Sequence, residues 1–159
     1  MVKPHLLFVG SGKLGETLRH KCQVVFDAER ESFQESALTN ESQRPIASFA
    51  GFLNQTEISQ AYVAADCLVL PSDYGETWGL VVNEAMASGL PCIVSDTCGC
   101  AEDLVKTIKP QLCFKLGEYT QLAELLKLVA SFQSRLSGLS DKIQEYDFSI
   151  SVNSVVKIY

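Results

Sequence analysis

Short apolar runs alternate along this chain with segments in which apolar residues recur every three or four positions. Short runs bounded by glycine or proline predict buried strands, and the longer period predicts amphipathic helices. Strands that alternate with helices are typical of an α/β domain with a parallel sheet. Residues 27–45 are polar, lack a sustained period and predict a loop with a turn of helix. The predicted strands are 5–9, 24–26, 46–51, 67–70, 92–95 and 112–114, and the predicted helices are 13–21, 56–65, 78–88, 101–106 and 119–132.

The clearest unit is residues 68–96, which read as strand, loop, helix and strand. Pro71 ends the first strand because it cannot donate to a sheet ladder. Thr77 is the predicted N-cap of the helix, and Gly89 followed by Pro91 is its predicted end. The loop therefore delivers the chain into a helix at the carboxyl end of a strand.

The helix in this unit has one apolar face. At 100° per residue, Val81, Val82, Ala85 and Met86 share a side that we expect to pack on the sheet. Glu84 projects away from that side. Its carboxylate is therefore predicted to point outward.

Two carboxylates, Glu76 and Glu84, flank the start of this helix. Unpaired N–H groups and the positive end of the helix dipole favour an anion there. A phosphate near residues 77–80, with a carboxylate on each side to accept from sugar hydroxyls, forms a coherent binding arrangement. The alternative is that Glu76 only complements the dipole and that Glu84 is a solvated helix residue.

Composition limits the function. The 159 residues suffice for one domain, and 47% hydrophobic with 20% charged residues is typical of a globular protein. A net charge of −6 argues against nucleic acid as a partner. The N-terminal apolar run is too short for a signal peptide, and no stretch approaches the length that spans a bilayer. We therefore expect a cytoplasmic protein.

Two strings carry a family resemblance. PSDYGETWGLVVNEAMASGLP resembles the Glu-x7-Glu motif of the retaining glycosyltransferases of family 4 (group 1), and FAGFLNQTEISQAYVAADCLVLPS is similar to the same family. The resemblance covers most of residues 5–159, with its specific motifs in 46–102. It implies one half of a GT-B fold, a Rossmann-like doubly wound, mainly parallel sheet with helices on both faces. This half is the C-terminal domain, which binds the sugar donor.

The resemblance also implies roles at the motif. Glu84 would hold the ribose hydroxyls of a nucleotide-sugar, and Glu76, the catalytic-site residue, would accept from hydroxyls of the transferred sugar. Backbone N–H groups would meet the distal phosphate as charge develops on the leaving group. Transfer would retain the anomeric configuration, with no metal and no cofactor. The residues expected around the phosphate are Thr77, Trp78, Gly79 and Leu80.

Two further loops are candidates for the donor cleft. Gly10 and Gly12 follow the first predicted strand, where GxG alone favours a tight turn or a ligand loop equally. The resemblance favours the ligand loop; Lys13 would lie near the ligand or in solvent. Phe52 and Leu53 follow the 46–51 strand and either hold the nucleobase, as the resemblance implies, or pack at the strand end.

One loop departs from the family pattern. The family has a Gly-Gly pair followed by an acidic residue, whereas this chain has Gly99 and Cys100, with Glu102 as the acid. The departure weakens any role of the Cys100 backbone in ligand contact. Cys98 and Cys100 form the one close cysteine pair; we expect a tight loop of small residues there, not a metal or redox site.

The resemblance further implies a missing part. Family members carry an earlier strand with an Arg and a Lys that neutralise the donor diphosphate, and before it an acceptor-binding domain. We therefore expect residues 1–159 to be a single donor-binding domain, a fragment that is inactive alone. Peripheral contact with a membrane through the acceptor domain is left open.

The function expected from this resemblance is transfer of a sugar from a nucleotide diphosphate-sugar to a glycan or lipid-linked glycan, as in polysaccharide biosynthesis. Two alternatives remain. One is a noncatalytic nucleotide-binding or assembly module with the same fold. The other is a nucleotide-sugar epimerase half-domain, although both histidines, His5 and His20, lie near the N-terminus.

Overall fold

The computed structural model describes residues 4–34 and 43–131. Two compact units divide the chain between Ile58 and Ser59. The strands are β1 (His5–Val9), β2 (Gln23–Asp27), β3 (Ser32–Phe33), β4 (Ile46–Gly51), β5 (Leu68–Leu70), β6 (Cys92–Ser95) and β7 (Cys113–Phe114). The α-helices are α1 (Gly15–Lys21), α2 (Gln55–Ala64), α3 (Leu80–Ala87), α4 (Lys106–Ile108) and α5 (Tyr119–Ala130). Shorter turns are a 3-10 helix at Ala28–Arg30, a π-helical turn at Ala101–Val105 and a 3-10 helix at Pro110–Leu112.

The first unit contains a four-stranded sheet in the order β1-β4-β2-β3. β4 pairs in parallel with β1 on one side and β2 on the other, and β3 adds an antiparallel edge. A small core of Cys22, Ala47 and Phe49 lies on one face, where the Phe8 ring stacks on Phe49 at 4.8 Å between centroids. Apolar side chains at alternate positions of the strands provide this face because successive residues of a strand point to opposite sides.

The second unit contains a three-stranded parallel sheet in the order β5-β6-β7. All four residues of β6 are buried, as expected for the central strand of a covered parallel sheet. Helix α3 contributes the buried side chains of Val82, Ala85 and Met86. The core of the unit therefore lies directly behind the helix that carries Glu84.

The fold class is confirmed: strands that pair mainly in parallel alternate with helices, giving Rossmann-like α/β character. The predicted strands 5–9, 46–51 and 92–95 have the observed bounds. In the described residues the strands form two hydrogen-bonded sheets, one in each unit. Each sheet supports its own loops at the carboxyl ends of its strands.

Several local predictions need correction. Val81 is 37% exposed instead of packing inward, because α3 begins at Leu80 and turns this residue to the rim of its apolar face. Leu112 lies in a 3-10 turn instead of a strand, since Pro110 starts that turn. The apolar spacing on the predicted helix 119–132 puts Ala130 on one face with Leu125 and Val129, but Ala130, the last residue of α5, is exposed while the other two are buried. Phe132, the last residue of the predicted helix, lies outside the described residues.

Within residues 4–34 and 43–131, no helix is both long and apolar enough to cross a membrane.

Candidate functional site

The loop after β5 is folded by Asp73. Its carboxylate accepts from the Gly75 N–H at 3.0 Å, and its carbonyl accepts from the Glu76 N–H at 3.1 Å. This turn leaves Tyr74 86% exposed and places Glu76 half-buried, immediately before the residues that enter α3. The loop thus delivers a carboxylate to the start of a helix.

Gly79 is the residue at which the loop becomes helix. Its φ of 92° is left-handed, and its carbonyl accepts the Val82 N–H at 2.9 Å. A Cβ atom here would lie 2.9 Å from Leu70 Cδ2 and 3.3 Å from Cys100 Sγ. The left-handed backbone therefore requires glycine, and an added Cβ would also press on these two side chains.

The prediction of Thr77 as N-cap is wrong. Gly79 occupies that position, and within the described residues no side chain caps the helix. The reason is that the chain turns into the helix at the left-handed Gly79, two residues after Thr77. In an α-helix each N–H donates to the carbonyl four residues earlier. For Leu80 and Val81 that carbonyl belongs to a residue before α3, so these N–H groups have no acceptor within the helix.

A second loop, residues 96–100, packs against the first. Cys100 N–H donates to the Trp78 carbonyl at 3.0 Å. The Gly99 backbone lies so close to Thr77 that a Cβ atom on Gly99 would be 1.9 Å from the Thr77 carbonyl oxygen. The backbones of the two loops are therefore in contact at the start of the helix. No motif in the sequence indicated this contact of Gly99 with Thr77.

Hydroxyl groups hold the base of the first loop. The Ser72 carbonyl accepts from Ser95 Oγ at 2.5 Å and from Thr97 Oγ1 at 2.8 Å. Ser95 is completely buried at the end of β6. A buried hydroxyl needs a partner, and here it finds one in the loop of the neighbouring strand.

The two cysteines of the second loop, Cys98 and Cys100, are buried and make packing contacts. Cys98 Sγ lies 3.3 Å from Ser95 Oγ and 3.8 Å from the Leu70 carbonyl. Cys100 is fully buried, and burial raises its pKa to about 12, so the thiol is protonated at neutral pH. Its side chain packs against Gly79, since a Cβ on that glycine would lie 3.3 Å from Cys100 Sγ. The described residues contain no group of three metal-ligating side chains.

Glu84 lies on the exposed side of α3, as predicted. Its Oε2 accepts a hydrogen bond of 2.8 Å from the hydroxyl of Tyr62, a residue of α2 that is only 5% exposed. Burial, followed by the hydrogen bond to Glu84, raises the pKa of Tyr62 above its usual value, so the hydroxyl stays a donor. The spacing of residues on the predicted helix 56–65 places Tyr62 on one face with Ile58 and Ala65 and indicates no role at the site. The available signal was a tyrosine at a core position, where its hydroxyl needs a partner.

The structure places six of the predicted site residues on one continuous loop and helix of the second unit. Trp78 is oriented by a bond of 2.8 Å from its Nε1 to Asn83 Oδ1, and Leu80 is 69% exposed. Glu76 and Glu84 lie on either side of the helix start. The six residues are Glu76, Thr77, Trp78, Gly79, Leu80 and Glu84.

The other four predicted site residues lie in the first unit. Gly10 (φ 101°) donates its N–H to the Gly51 carbonyl at 2.7 Å, and the space where Gly10 or Gly12 would carry a Cβ is open to 4 Å. Phe52 is 83% exposed and Leu53 is half-buried. Because β1 and β4 are parallel neighbours, the loops that follow them lie at the same edge of the sheet.

Comparison with known proteins identifies the family. The family model for glycosyl transferases group 1 matches residues 3–146. The chain belongs to this family. The matched residues include both the Gly10 loop and the Glu76 loop.

Three relatives are glycosyltransferases by name. A sulfoquinovosyl transferase of Arabidopsis thaliana is 53% identical over 49 residues, which are 31% of this chain and 9% of the plant protein. An uncharacterized glycosyltransferase of Methanocaldococcus jannaschii is 44% identical over 54 residues, 34% of this chain and 14% of the relative. A GDP-mannose-dependent alpha-mannosyltransferase of Mycobacterium tuberculosis is 37% identical over 79 residues, 50% of this chain and 20% of the relative. The matched stretches are thus a minor part of each relative's length.

Proposed function

We propose that this chain is the donor-binding domain of a retaining glycosyltransferase that moves a sugar from a nucleotide diphosphate-sugar to a glycan or lipid-linked glycan. Membership of the group 1 family supports transfer of a sugar. The Glu-x7-Glu pattern of Glu76 and Glu84 supports the assignment of the donor site to the second unit. We place the protein in the cytoplasm, in keeping with six cysteines that are all free thiols.

The observation that carries the proposal is the construction of the start of α3. The chain enters the helix through a glycine that no other residue can replace without strain, and a second loop holds the preceding carbonyls of Thr77 and Trp78. Backbone N–H groups of the first helical turn, that of Leu80 among them, then form a fixed anion site at the positive end of the helix. In the proposed complex they meet the distal phosphate of the donor and stabilise the charge that develops on the leaving diphosphate.

The two glutamates orient the donor on either side of that phosphate. Glu84 accepts hydrogen bonds from the ribose hydroxyls, for which its exposed position on α3 leaves room. Glu76 accepts from hydroxyls of the sugar being transferred. In this proposal both act as hydrogen-bond acceptors that orient the donor, because one carboxylate can accept from several hydroxyls at once.

The relatives leave the identity of the donor open. One relative is named a GDP-mannose-dependent alpha-mannosyltransferase and another a sulfoquinovosyl transferase, so their names do not point to a single sugar. The proposed contact of Phe52 and Leu53 with a nucleobase, and the proposed ligand loop of Gly10 and Gly12, rest on the family resemblance of their sequence.

Calorimetry on the 159-residue chain tests the proposal. We expect one of GDP, UDP, ADP or CDP to bind in preference to the others. Glu84→Gln should weaken that nucleotide about tenfold or more, because a hydrogen bond to a charged group contributes about 1.5 to 3 kcal/mol. Glu124→Gln, on the exposed side of α5, is the matched control and should bind as the wild type does.

Glu76→Gln separates the two carboxylate roles. It should leave the affinity for the free nucleoside diphosphate unchanged and weaken the corresponding nucleotide-sugar. No selective nucleotide binding, or equal effects of Glu84→Gln and Glu124→Gln, would contradict the proposed donor site. If the chain binds a nucleotide but Glu76→Gln does not change the affinity for the nucleotide-sugar, a noncatalytic binding module is favoured.

A further inference from the structure

A buried tyrosine on one helix holds an exposed glutamate on another. Tyr62 OH donates to Glu84 Oε2 at 2.8 Å, across 22 positions of sequence and within the second unit. The tyrosine is 5% exposed, whereas Glu84 is exposed on α3. A rigid aromatic side chain therefore anchors a side chain that would otherwise be free in solvent.

The backbone of Glu84 is fixed as well. Its carbonyl accepts from both the N–H of Ser88, at 3.1 Å, and Ser88 Oγ, at 3.0 Å. With the main chain held by the helix and one carboxylate oxygen held by Tyr62, few rotamers remain to Glu84. Immobilising a flexible side chain on binding costs conformational entropy, and this cost is reduced when the side chain is already ordered.

The geometry of a carboxylate leaves room for a ligand beside the tyrosine. An ionised carboxylate has about four acceptor positions on two oxygens, and Tyr62 uses one of them. Oε1 and the second lone pair of Oε2 can accept from two adjacent hydroxyl groups. A pair of vicinal hydroxyls is the feature that a ribose ring presents.

We propose that Tyr62 is a positioning residue that fixes the Glu84 carboxylate for the vicinal hydroxyls of the donor's ribose. The inference rests on the proposed function of Glu84 and adds to it the residue that sets the carboxylate's orientation. Tyr62 does not itself touch the nucleotide. Its contribution is to order the Glu84 side chain before the ligand binds.

A tyrosine that only filled the core would behave differently. Tyr62→Phe would then weaken binding of every nucleotide equally, through the fold, or not at all. A positioning role instead predicts an effect confined to ligands that carry the ribose hydroxyls. The useful measurement is therefore the ratio of two affinities, not either affinity alone.

The test compares each nucleoside diphosphate that binds with its 2′,3′-dideoxy counterpart, by calorimetry on the full 159-residue chain. We expect the wild type to prefer the ribonucleotide. Tyr62→Phe should reduce that preference about threefold to tenfold while the dideoxy nucleotide binds unchanged, since one hydrogen bond to a charged acceptor and its ordering effect are lost. The unchanged dideoxy affinity also shows that the variant is folded.

Two further variants complete the cycle. Glu84→Gln should abolish most of the ribose preference, and adding Tyr62→Phe to it should change the preference no further, because the tyrosine acts through the glutamate. Tyr119→Phe, at an 80% exposed tyrosine of the same unit, is the control and should keep the wild-type ratio.

The outcomes separate the two hypotheses. If Glu84→Gln removes the ribose preference and Tyr62→Phe keeps it, the positioning role is overturned and the donor site stands. If the wild type binds nucleotides without a ribose preference, the proposed role of Glu84 fails, and the role of Tyr62 fails with it. Additive effects of the two substitutions on the ratio would also overturn the inference.

Discussion

The two units each place a glycine-containing loop between a parallel strand and a helix, but they hold that helix by different chemistry. In the first unit, a charge on α1 is paired with carboxylates at the end of β2 and in the turn that follows it. In the second, hydroxyls, backbone amides and close glycine contacts hold the loop. The comparison shows that two segments with the same order of strand, loop and helix can be stabilised by different kinds of interaction.

The first unit centres on Arg19. Its guanidinium, 8% exposed, donates to both carboxylate oxygens of Asp27, at 2.6 and 3.1 Å, and to Glu29 at 2.7 Å. It also lies 4.6 Å from the centroid of the Phe49 ring. The pairing with Arg19 lowers the pKa of Asp27 below its usual value, because it stabilises the ionised form.

The second unit uses neutral groups at the corresponding place. Ser95 and Thr97 donate to one loop carbonyl, and Gly99 packs on the backbone of Thr77. None of these groups ionises between pH 3 and pH 10. The two units should therefore respond differently to charge removal, to added volume and to acid.

The largest effect is expected for Asp27→Asn in the first unit. The substitution removes the buried carboxylate that pairs with Arg19 and leaves the more exposed Glu29 as its main partner, so the free energy of unfolding should fall by about 3 kcal/mol. Hydrogen exchange at the amides of β4 measures the loss. Glu16→Gln, whose side chain is 64% exposed although it also pairs with Arg19 and Arg30, should cost less than about 1 kcal/mol. Equal costs would show that the buried pair has no special role.

Acid should act through the same residue. A carboxylate whose folded pKa is lowered stabilises the fold above its unfolded pKa of about 4, and this stabilisation is lost as the pH falls further, through the folded pKa. Protection of β4 amides should therefore decrease below about pH 4 in the wild type, and Asp27→Asn should flatten this dependence. A variant that kept the wild-type acid profile would exclude Asp27 as its origin.

Gly99→Ala should have the next largest effect, in the second unit. The added Cβ would overlap the Thr77 carbonyl oxygen, which belongs to the backbone and can move only with the loop. We expect a loss of about 2 to 3 kcal/mol, by analogy with overpacked cores. Urea unfolding followed by the fluorescence of Trp78, the one tryptophan of the chain, measures it.

Gly12→Ala is the matched control in the first unit. Space is open around its Cβ position, and its φ is not left-handed. Its cost should be within about 0.5 kcal/mol of zero. If Gly99→Ala and Gly12→Ala lowered the free energy of unfolding by similar amounts, the close contact of the two loops would not be the cause of the loss in Gly99→Ala.

Ser95→Ala should have the smallest of these effects. It removes one hydroxyl donor to the Ser72 carbonyl, while Thr97 Oγ1 continues to donate at 2.8 Å. A net loss of about 1 kcal/mol follows, since one buried hydrogen bond is lost and its acceptor keeps a partner. Ser131→Ala, at an exposed hydroxyl after α5, is the control. A Ser95→Ala variant as stable as this control would leave the hydroxyl contacts without an energetic role.

Much of the fold was predictable from local pattern. The strands at His5–Val9, Ile46–Gly51 and Cys92–Ser95 have the predicted bounds because each is an apolar run closed by a residue that ends a strand. The order of the residues around Glu76 and Glu84 also follows from sequence, since one loop and one helix carry them. Thr77 was assigned the wrong role because its residue type favours a cap, whereas the left-handed Gly79 decides where the helix starts.

The sequence by itself determined the family, the alternation of strands and helices, and the outward position of Glu84, because all three depend on residues close along the chain. Only the tertiary structure decided that Gly99 packs on Thr77 and that Tyr62 donates to Glu84. Those contacts join residues 22 positions apart in each case, and the packing of the elements determines which distant side chains meet. A periodic pattern specifies which face of a helix is buried, but not the atom that its buried hydroxyl will contact.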